Sequence, residues 1–233
     1  MKIVSWNCQN GLNEVKASAI FETEPDADIF VIQECKRNDI YAFKYDWKFK
    51  NWYGDDQEYS ELGIAVFSKE HDVEFADVFN RNFRYVVPYV VKTKQKEVTL
   101  FAVWTKPVPH YYDKNVTDAV SYYKDKTTND AIIIGDFNTG YSKDKEHRER
   151  YENLCNGLKG YKNCVSGEPE TFKETFYFPR KNKLYVNDFC FVSENLSSCI
   201  KEVKISDDWK ENQYGQKSWC GSDHCPIIVD LDF

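Results

Sequence analysis

Apolar residues in this chain come in short runs. Residues 2–6, 29–32, 62–67, 98–104, 131–134, 186–192 and 227–231 are each bounded by polar or turn-forming residues. Runs this short read as buried β-strands, because a buried helix needs about ten residues or more. Helical spacing shows in three places: Leu12, Val15, Ala19 and Ile20; Val116, Ala119, Val120 and Tyr123, with Asn115 placed to cap them; and Tyr151, Leu154, Cys155 and Leu158. Roughly eight strands against about three helices predict a mixed α/β sandwich, with two sheets face to face and helices outside. No Gly/Ser linker, repeat or low-complexity tract interrupts residues 1–233, so a single domain is expected.

Other architectures and functions fall away on composition. No stretch reaches the ~18 apolar residues of a membrane span, and a strand pattern starts at the first residues, so a cytoplasmic protein without a membrane partner is expected. The eight cysteines form no Cys-x-x-Cys pair, and several sit inside apolar runs; reduced, buried thiols are expected, not a zinc knuckle or a disulfide framework. Lys and Arg number 31 against 38 Asp and Glu, a formal charge of −7. A nonspecific duplex binder carries a basic excess. A polyanionic substrate would therefore be held here by local basic patches and by metal, not by the overall field. Aromatic residues make up 16% of the chain and are assigned mainly to the core between sheets.

The informative residues are polar and stand at strand ends. The first strand ends Ser5-Trp6-Asn7, the second Gln33-Glu34, and a middle one Gly135-Asp136-Phe137-Asn138. Strand alternation would send Asp136 and Asn138 to one side. Asp188 interrupts an apolar run, where an unpaired carboxylate is costly, and Ser222-Asp223-His224 immediately precedes the last strand. Each alone reads equally as a turn former, a loop cap or an edge-strand charge. Together, carboxylate and amide oxygens at one sheet edge are the ligand set of a hard cation such as Mg²⁺, with Mn²⁺ an alternative.

This ordered set resembles the endonuclease/exonuclease/phosphatase superfamily, which includes exonuclease III and deoxyribonuclease I. The residues that carry the likeness are Ser5-Trp6-Asn7, Ile32-Gln33-Glu34, Gly135-Asp136-Phe137-Asn138, Asp188 and Ser222-Asp223-His224. Leu62-Gly63-Ile64-Ala65-Val66-Phe67-Ser68 and Thr175-Phe176 resemble further steps of the family pattern. The resemblance implies a four-layer α/β/β/α sandwich of two mostly antiparallel sheets and one metal-dependent site. It implies that Asn7, Glu34 and Asp223 bind metal and that Asp136 activates the attacking water. Asn138 would hold that water or the phosphate. His224 would stabilise the transition state or move a proton, and Asp188 would orient it. Two departures stand out: Trp104-Thr105-Lys106 where several branches carry His or Tyr, and Val186-Asn187-Asp188 where Arg-Ile-Asp is common.

Substrate contacts are less constrained. Lys106 serves as a phosphate contact or as a strand end. Arg180, in Arg180-Lys181-Asn182-Lys183, reads equally as a backbone contact or a solvated hairpin tip. The run from Lys143 to Arg150 reads as a salt-bridged helix face, and Lys106 to Tyr112 as a stiff aromatic loop. The leading expectation is a Mg²⁺-dependent nuclease on DNA or RNA. The alternatives are a phosphatase or phosphodiesterase on a small phosphorylated metabolite, and an inactive binding scaffold.

Overall fold

The computed structural model describes residues 1–43, 45–54, 61–106, 112–141, 145–165 and 171–233. In chain order the elements are β1 (Lys2–Asn7), α1 (Glu14–Thr23), β2 (Ile29–Lys36), α2 (Asp39–Ala42), β3 (Phe49–Tyr53), β4 (Leu62–Ser68) and β5 (Asp72–Phe75). Then come β6 (Val86–Lys92), β7 (Glu97–Trp104), α3 (Tyr112–Tyr123), β8 (Ala131–Tyr141), α4 (Lys145–Gly157), β9 (Tyr161–Asn163) and β10 (Phe176–Phe178). The chain closes with β11 (Lys183–Ser193), β12 (Ile200–Ile205), β13 (Lys210–Glu211), β14 (Lys217–Ser218) and β15 (Ile227–Leu231).

Two large sheets carry the fold. One runs β12-β15-β1-β2-β4-β3; the other runs β10-β11-β8-β7-β6-β5, with β9 added beside β11. Only β1–β2 and β7–β8 are parallel; the remaining pairs are antiparallel. A parallel pair needs a crossover, and α1 and α3 supply the two. Each crossover brings the carboxyl ends of its strands to one edge. Asn7 and Glu34 thus stand together on the first sheet, and Trp104 and Asp136 on the second.

Alternation sorts each strand between two cores. On the second sheet Phe101, Val103, Ile133, Phe189 and Phe191 turn outward onto Val116, Ala119, Tyr123, Tyr151 and Leu154 of α3 and α4. Leu100, Ala102, Ile132, Ile134 and Cys190 turn inward toward the first sheet. The sheets meet where Tyr89 packs on Phe49 at 6.1 Å and its hydroxyl donates to Asn51 Oδ1 at 2.9 Å. Each fully buried aliphatic or aromatic side chain of this kind contributes about 1.5–3 kcal/mol. With α1 on the outer face of the first sheet, the four-layer arrangement expected from the sequence is the one observed.

The first helix differs from its expected face. Asn13 caps it, accepting from the Lys16 amide at 3.0 Å, so Leu12 lies outside and Val15 is 71% exposed. Ile20 turns inward as expected, joined by Ala17 and Phe21, and Phe21 stacks edge-on with Phe30 at 4.9 Å. The cap sets the phase, and the aromatic contact outweighs a branched aliphatic at position 15. Asn115 is no cap either: α3 begins at Tyr112, and the buried Asn115 amide donates to the Lys106 carbonyl at 2.8 Å. Strand β8 does not stop at Gly135 but runs through it to Tyr141. All eight cysteines are free thiols. Among the described residues, no helix is long and apolar enough to cross a membrane.

Candidate active site at the mouth of the two sheets

Strand order dictates what meets at the mouth. On the first sheet, β15, β1, β2, β4 and β3 present in turn the His224 segment, Asn7, Glu34, Gly63 and Tyr53. On the second, β11, β8, β7 and β6 present Asp188, Asp136, Trp104 and the start of β6 at Val86. The two rows face each other, so residues far apart in sequence share one trough. Ligands of open α/β sheets bind outside the carboxyl ends of parallel strands for this reason.

Local backbone irregularity aims the acids. The β2–β4 register slips between Gln33 and Cys35, and Glu34 at that bulge has φ +56°. A bulge of this kind turns a side chain out of strict alternation. On β8, Asn138 has φ +47°, and the register against β11 shifts between Val186 and Asp188. Asn138 therefore reaches Asp136 by a left-handed turn, not by the strand alternation expected from the sequence. Backbone strain in non-glycine residues costs on the order of 1–3 kcal/mol and gathers at functional sites. Gly135 makes room behind Asp136: its φ is +148°, and a Cβ there would lie 2.0 Å from the Val103 carbonyl oxygen.

Asp136 is the hub. It is fully buried, and its Oδ2 accepts from Asn7 Nδ2 at 2.9 Å and Asn138 Nδ2 at 2.8 Å. The Asn138 amide N–H donates to Oδ1 at 2.8 Å. His224 Nε2 lies 4.0 Å from Oδ2. Burial pushes the Asp136 carboxyl up to about 7, with the His224 charge pulling the other way. Asn7 Nδ2 also donates to Glu34 Oε1 at 3.1 Å, so one amide bridges two acids. The Asn7 Oδ1 accepts from the Gln9 amide at 3.0 Å; a half-turn of the amide would exchange its donor and acceptor ends.

His224 and Asp188 form the second unit, with Nδ1 at 2.8 Å from Asp188 Oδ2. Burial works to discharge the imidazole, but the Asp188 and Asp136 carboxylates outweigh it and raise its pKa to about 10. Three contacts fix its backbone: Trp6 Nε1–H donates to the His224 carbonyl at 2.9 Å, the His224 amide donates to Ser222 Oγ at 3.0 Å, and Ser222 Oγ–H donates to the Asn7 carbonyl at 2.7 Å. Thr175 anchors the partner acid. Its Oγ1 accepts from the amides of Asn187 and Asp188, both at 3.0 Å. Trp6, Ser222 and Thr175 were visible in the sequence as motif letters, but their positioning roles were not. Tyr112, expected in a loop, opens α3 half-buried; burial raises its phenol, with Arg150 opposing and Asp136 reinforcing.

Asp223 is partly buried, and burial raises its carboxyl, with His224 opposing and Glu34 reinforcing. Three acids (Asp136, Asp188 and Asp223) thus act on one imidazole, and Glu34 adds its charge beside Asp223. Asp188 Oδ1 is buried without a hydrogen-bond partner among the described residues. That excess of oxygen and negative charge fits a hard divalent cation. Atoms of Asp136, Asp188 and His224 lie within 4.8 Å of one another, but the imidazole is engaged with Asp188, so the oxygen-rich side toward Glu34 and Asp223 suits such an ion better.

The basic candidates divide. Lys106 stands two residues beyond Trp104, which pairs in register with Asp136, and its ammonium lies over the Trp104 ring at 4.4 Å. Arg180 sits exposed at the tip of the β10–β11 hairpin. The base of that hairpin reaches the site, where Phe176 packs on His224 at 4.6 Å. Residues 107–111 of the aromatic loop, and Lys143 and Asp144, lie outside the described residues. In α4, Arg150 pairs with Glu146 at 2.5 Å and Lys145 with Glu149 at 3.7 Å, the salt-bridged face expected there.

Comparison with protein-family models and with curated protein sequences gives no match. Comparison with solved structures does. The chain is similar to a 3′-5′ exonuclease (NExo) from Neisseria meningitidis, with a TM-score of 0.67 at 19% identity over 100% of both chains. It is similar to the AP endonuclease LMAP from Leishmania major, with a TM-score of 0.70 at 14% identity over 100% of this chain and 87% of that one. For the catalytic domain of Xenopus laevis APE2 the values are 0.70 and 18%, over 100% and 92%. The fold is that of the endonuclease/exonuclease/phosphatase proteins, as the sequence motifs imply.

Proposed function

We propose that this chain, a single domain, is a metal-dependent phosphodiester hydrolase, a nuclease whose substrate is DNA. The observation that carries this reading is the convergence of two hydrogen-bonded units, Asn7–Asp136–Asn138 and Asp188–His224, beside Glu34 and Asp223. The names of the proteins of like fold, a 3′-5′ exonuclease and an AP endonuclease, support it.

In this reading Glu34, Asp223 and Asn7 would hold Mg²⁺ or Mn²⁺, which would supply positive charge to offset the negative charge developing on the phosphate. Asp136 takes the proton of the attacking water as the new P–O bond forms and the ester P–O bond breaks. A carboxyl raised toward neutrality suits that role, and Asn138 keeps it aimed. His224, charged at neutral pH, donates to a phosphoryl oxygen as charge develops there. Asp188 holds the proton on Nδ1, leaving Nε2 to face the substrate. Arg180 has no part in this scheme.

The test is a panel of single-stranded, double-stranded, abasic and RNA substrates together with phosphorylated metabolites, each with Mg²⁺ or Mn²⁺. DNA cleavage that disappears in Asp136→Ala is expected. Hydrolysis confined to the metabolites, or surviving in Asp136→Ala, would refute the assignment.

A further inference from the structure

The trough continues past the acids, and among the described residues the cleft there is lined by two cations, Arg84 and Lys106. Beyond Glu34 on the first sheet come Gly63 and Tyr53; beyond Asp136 on the second come Trp104 and Tyr85. Between these rows lies a small cleft of about 20 Å³, open to solvent and lined by Tyr53, Gly63, Arg84, Tyr85, Trp104 and Lys106. Each cation is laid over its own aromatic neighbour. The Arg84 guanidinium sits 4.9 Å from the Tyr85 ring centroid and donates to the Tyr85 hydroxyl at 3.2 Å, and Lys106 sits over Trp104. Stacking of this kind limits the freedom of long basic side chains, so less entropy is lost when an anion binds. Arg84 also borders the open groove along α3 lined by Asn115 and Ser121. Arg84 thus lies between the cleft and that groove.

We propose that Arg84 and Lys106 form a second phosphate subsite, one position along the strand from the scissile phosphate, so that the substrate is a polynucleotide and not a metabolite with one phosphate. The proposal rests on the hydrolase reading for what happens at Asp136, but not for binding. In a chain of net charge −7, two cations held beside β7 and β6, the first and second strands from Asp136 on β8, supply the local attraction that the overall field denies.

The test is fluorescence anisotropy of a labelled single-stranded oligodeoxynucleotide in EDTA, titrated at several salt concentrations. The proteins are wild type, Arg84→Gln, Lys106→Met, the double variant and Lys201→Met, which removes one charge on an edge strand away from the mouth. Each subsite variant is expected to weaken binding about tenfold. Each should also lower the log–log salt slope by about 0.7, the counterion release of one single-strand phosphate contact. Lys201→Met should leave the slope unchanged. Adenosine 3′,5′-bisphosphate, which offers two phosphates without a polymer, should compete poorly. No wild-type binding, slopes unchanged in the double variant, or a bisphosphate that matches the oligonucleotide would each overturn the proposal. Circular dichroism melts identify any variant that fails to fold, and the remaining single variant then decides. Cleavage with Mg²⁺ is scored separately: salt-sensitive binding without cleavage would sink the hydrolase reading alone, and cleavage with unaltered slopes would sink the subsite alone.

Discussion

Asp188→Asn separates charge from shape at the site. The amide is nearly the size of the carboxylate and keeps an oxygen that can accept from Nδ1–H, but it removes the negative charge 2.8 Å from the imidazole. At an effective dielectric of ~20, that separation corresponds to about 6 kcal/mol at most, or roughly four pKa units at 1.36 kcal/mol each. Burial, which opposes the charged imidazole, is then balanced only by Asp136 at 4.0 Å and Asp223. His224 should fall from about 10 to roughly 6, so at pH 7.5 most molecules would carry a neutral ring. Imidazole resonances followed by NMR across pH 5 to 11 measure this directly. Single-turnover cleavage at pH 7.5 should drop by about 10²- to 10⁴-fold, the scale of losing a positioned acid–base group. A His224 that still titrates above pH 9 in the variant would refute the electrostatic argument. A ring that titrates near 6 with cleavage unchanged would remove its charge from the mechanism.

The same groups set a pH dependence of stability. His224 is raised above its ordinary 6.5, so its contribution is complete below about pH 6.5 and disappears as pH rises through about 10. Asp136 is raised above 3.8, so its contribution is complete below about pH 4 and is lost through about 7. Both signs agree: the melting temperature should fall from pH 6 to 10.5, and the fall should flatten in Asp188→Asn; a melting temperature that rises over that range would contradict it. Gly135→Ala puts a methyl 2.0 Å from the Val103 carbonyl at φ +148°. A loss of roughly 3 kcal/mol or more in urea unfolding is expected, and a loss under 1 kcal/mol would show that β7 and β8 can part. Asn13→Ala removes the α1 cap and should cost about 1 kcal/mol, read as a lower melting temperature with α1 retained by circular dichroism.

The two-sheet class was legible in the sequence, and the seven short apolar runs fall on β1, β2, β4, β7, β8, β11 and β15, but the other eight of the fifteen strands among the described residues were not. Asn7, Glu34, Asp136, Asn138, Asp188 and His224 stand beside apolar runs whose length marks them as strands, and polar groups there are conspicuous because burial makes them costly. Composition and periodicity report which residues are buried and how often the chain reverses. They do not report which strand lies beside which. That β11 and β15 flank β8 and β1, so that Asp188 meets His224, is a product of strand order, and strand order depends on contacts between residues distant in sequence. The same holds for the bulge at Glu34, the left-handed turn at Asn138 and the Thr175 clamp under Asp188. Each is a departure from regular geometry that a local pattern does not encode, because its cost is offset only by groups the folded chain brings from elsewhere. Lys106 was visible as a charge after a strand, whereas Arg84 became its neighbour only once β6 was laid against β7.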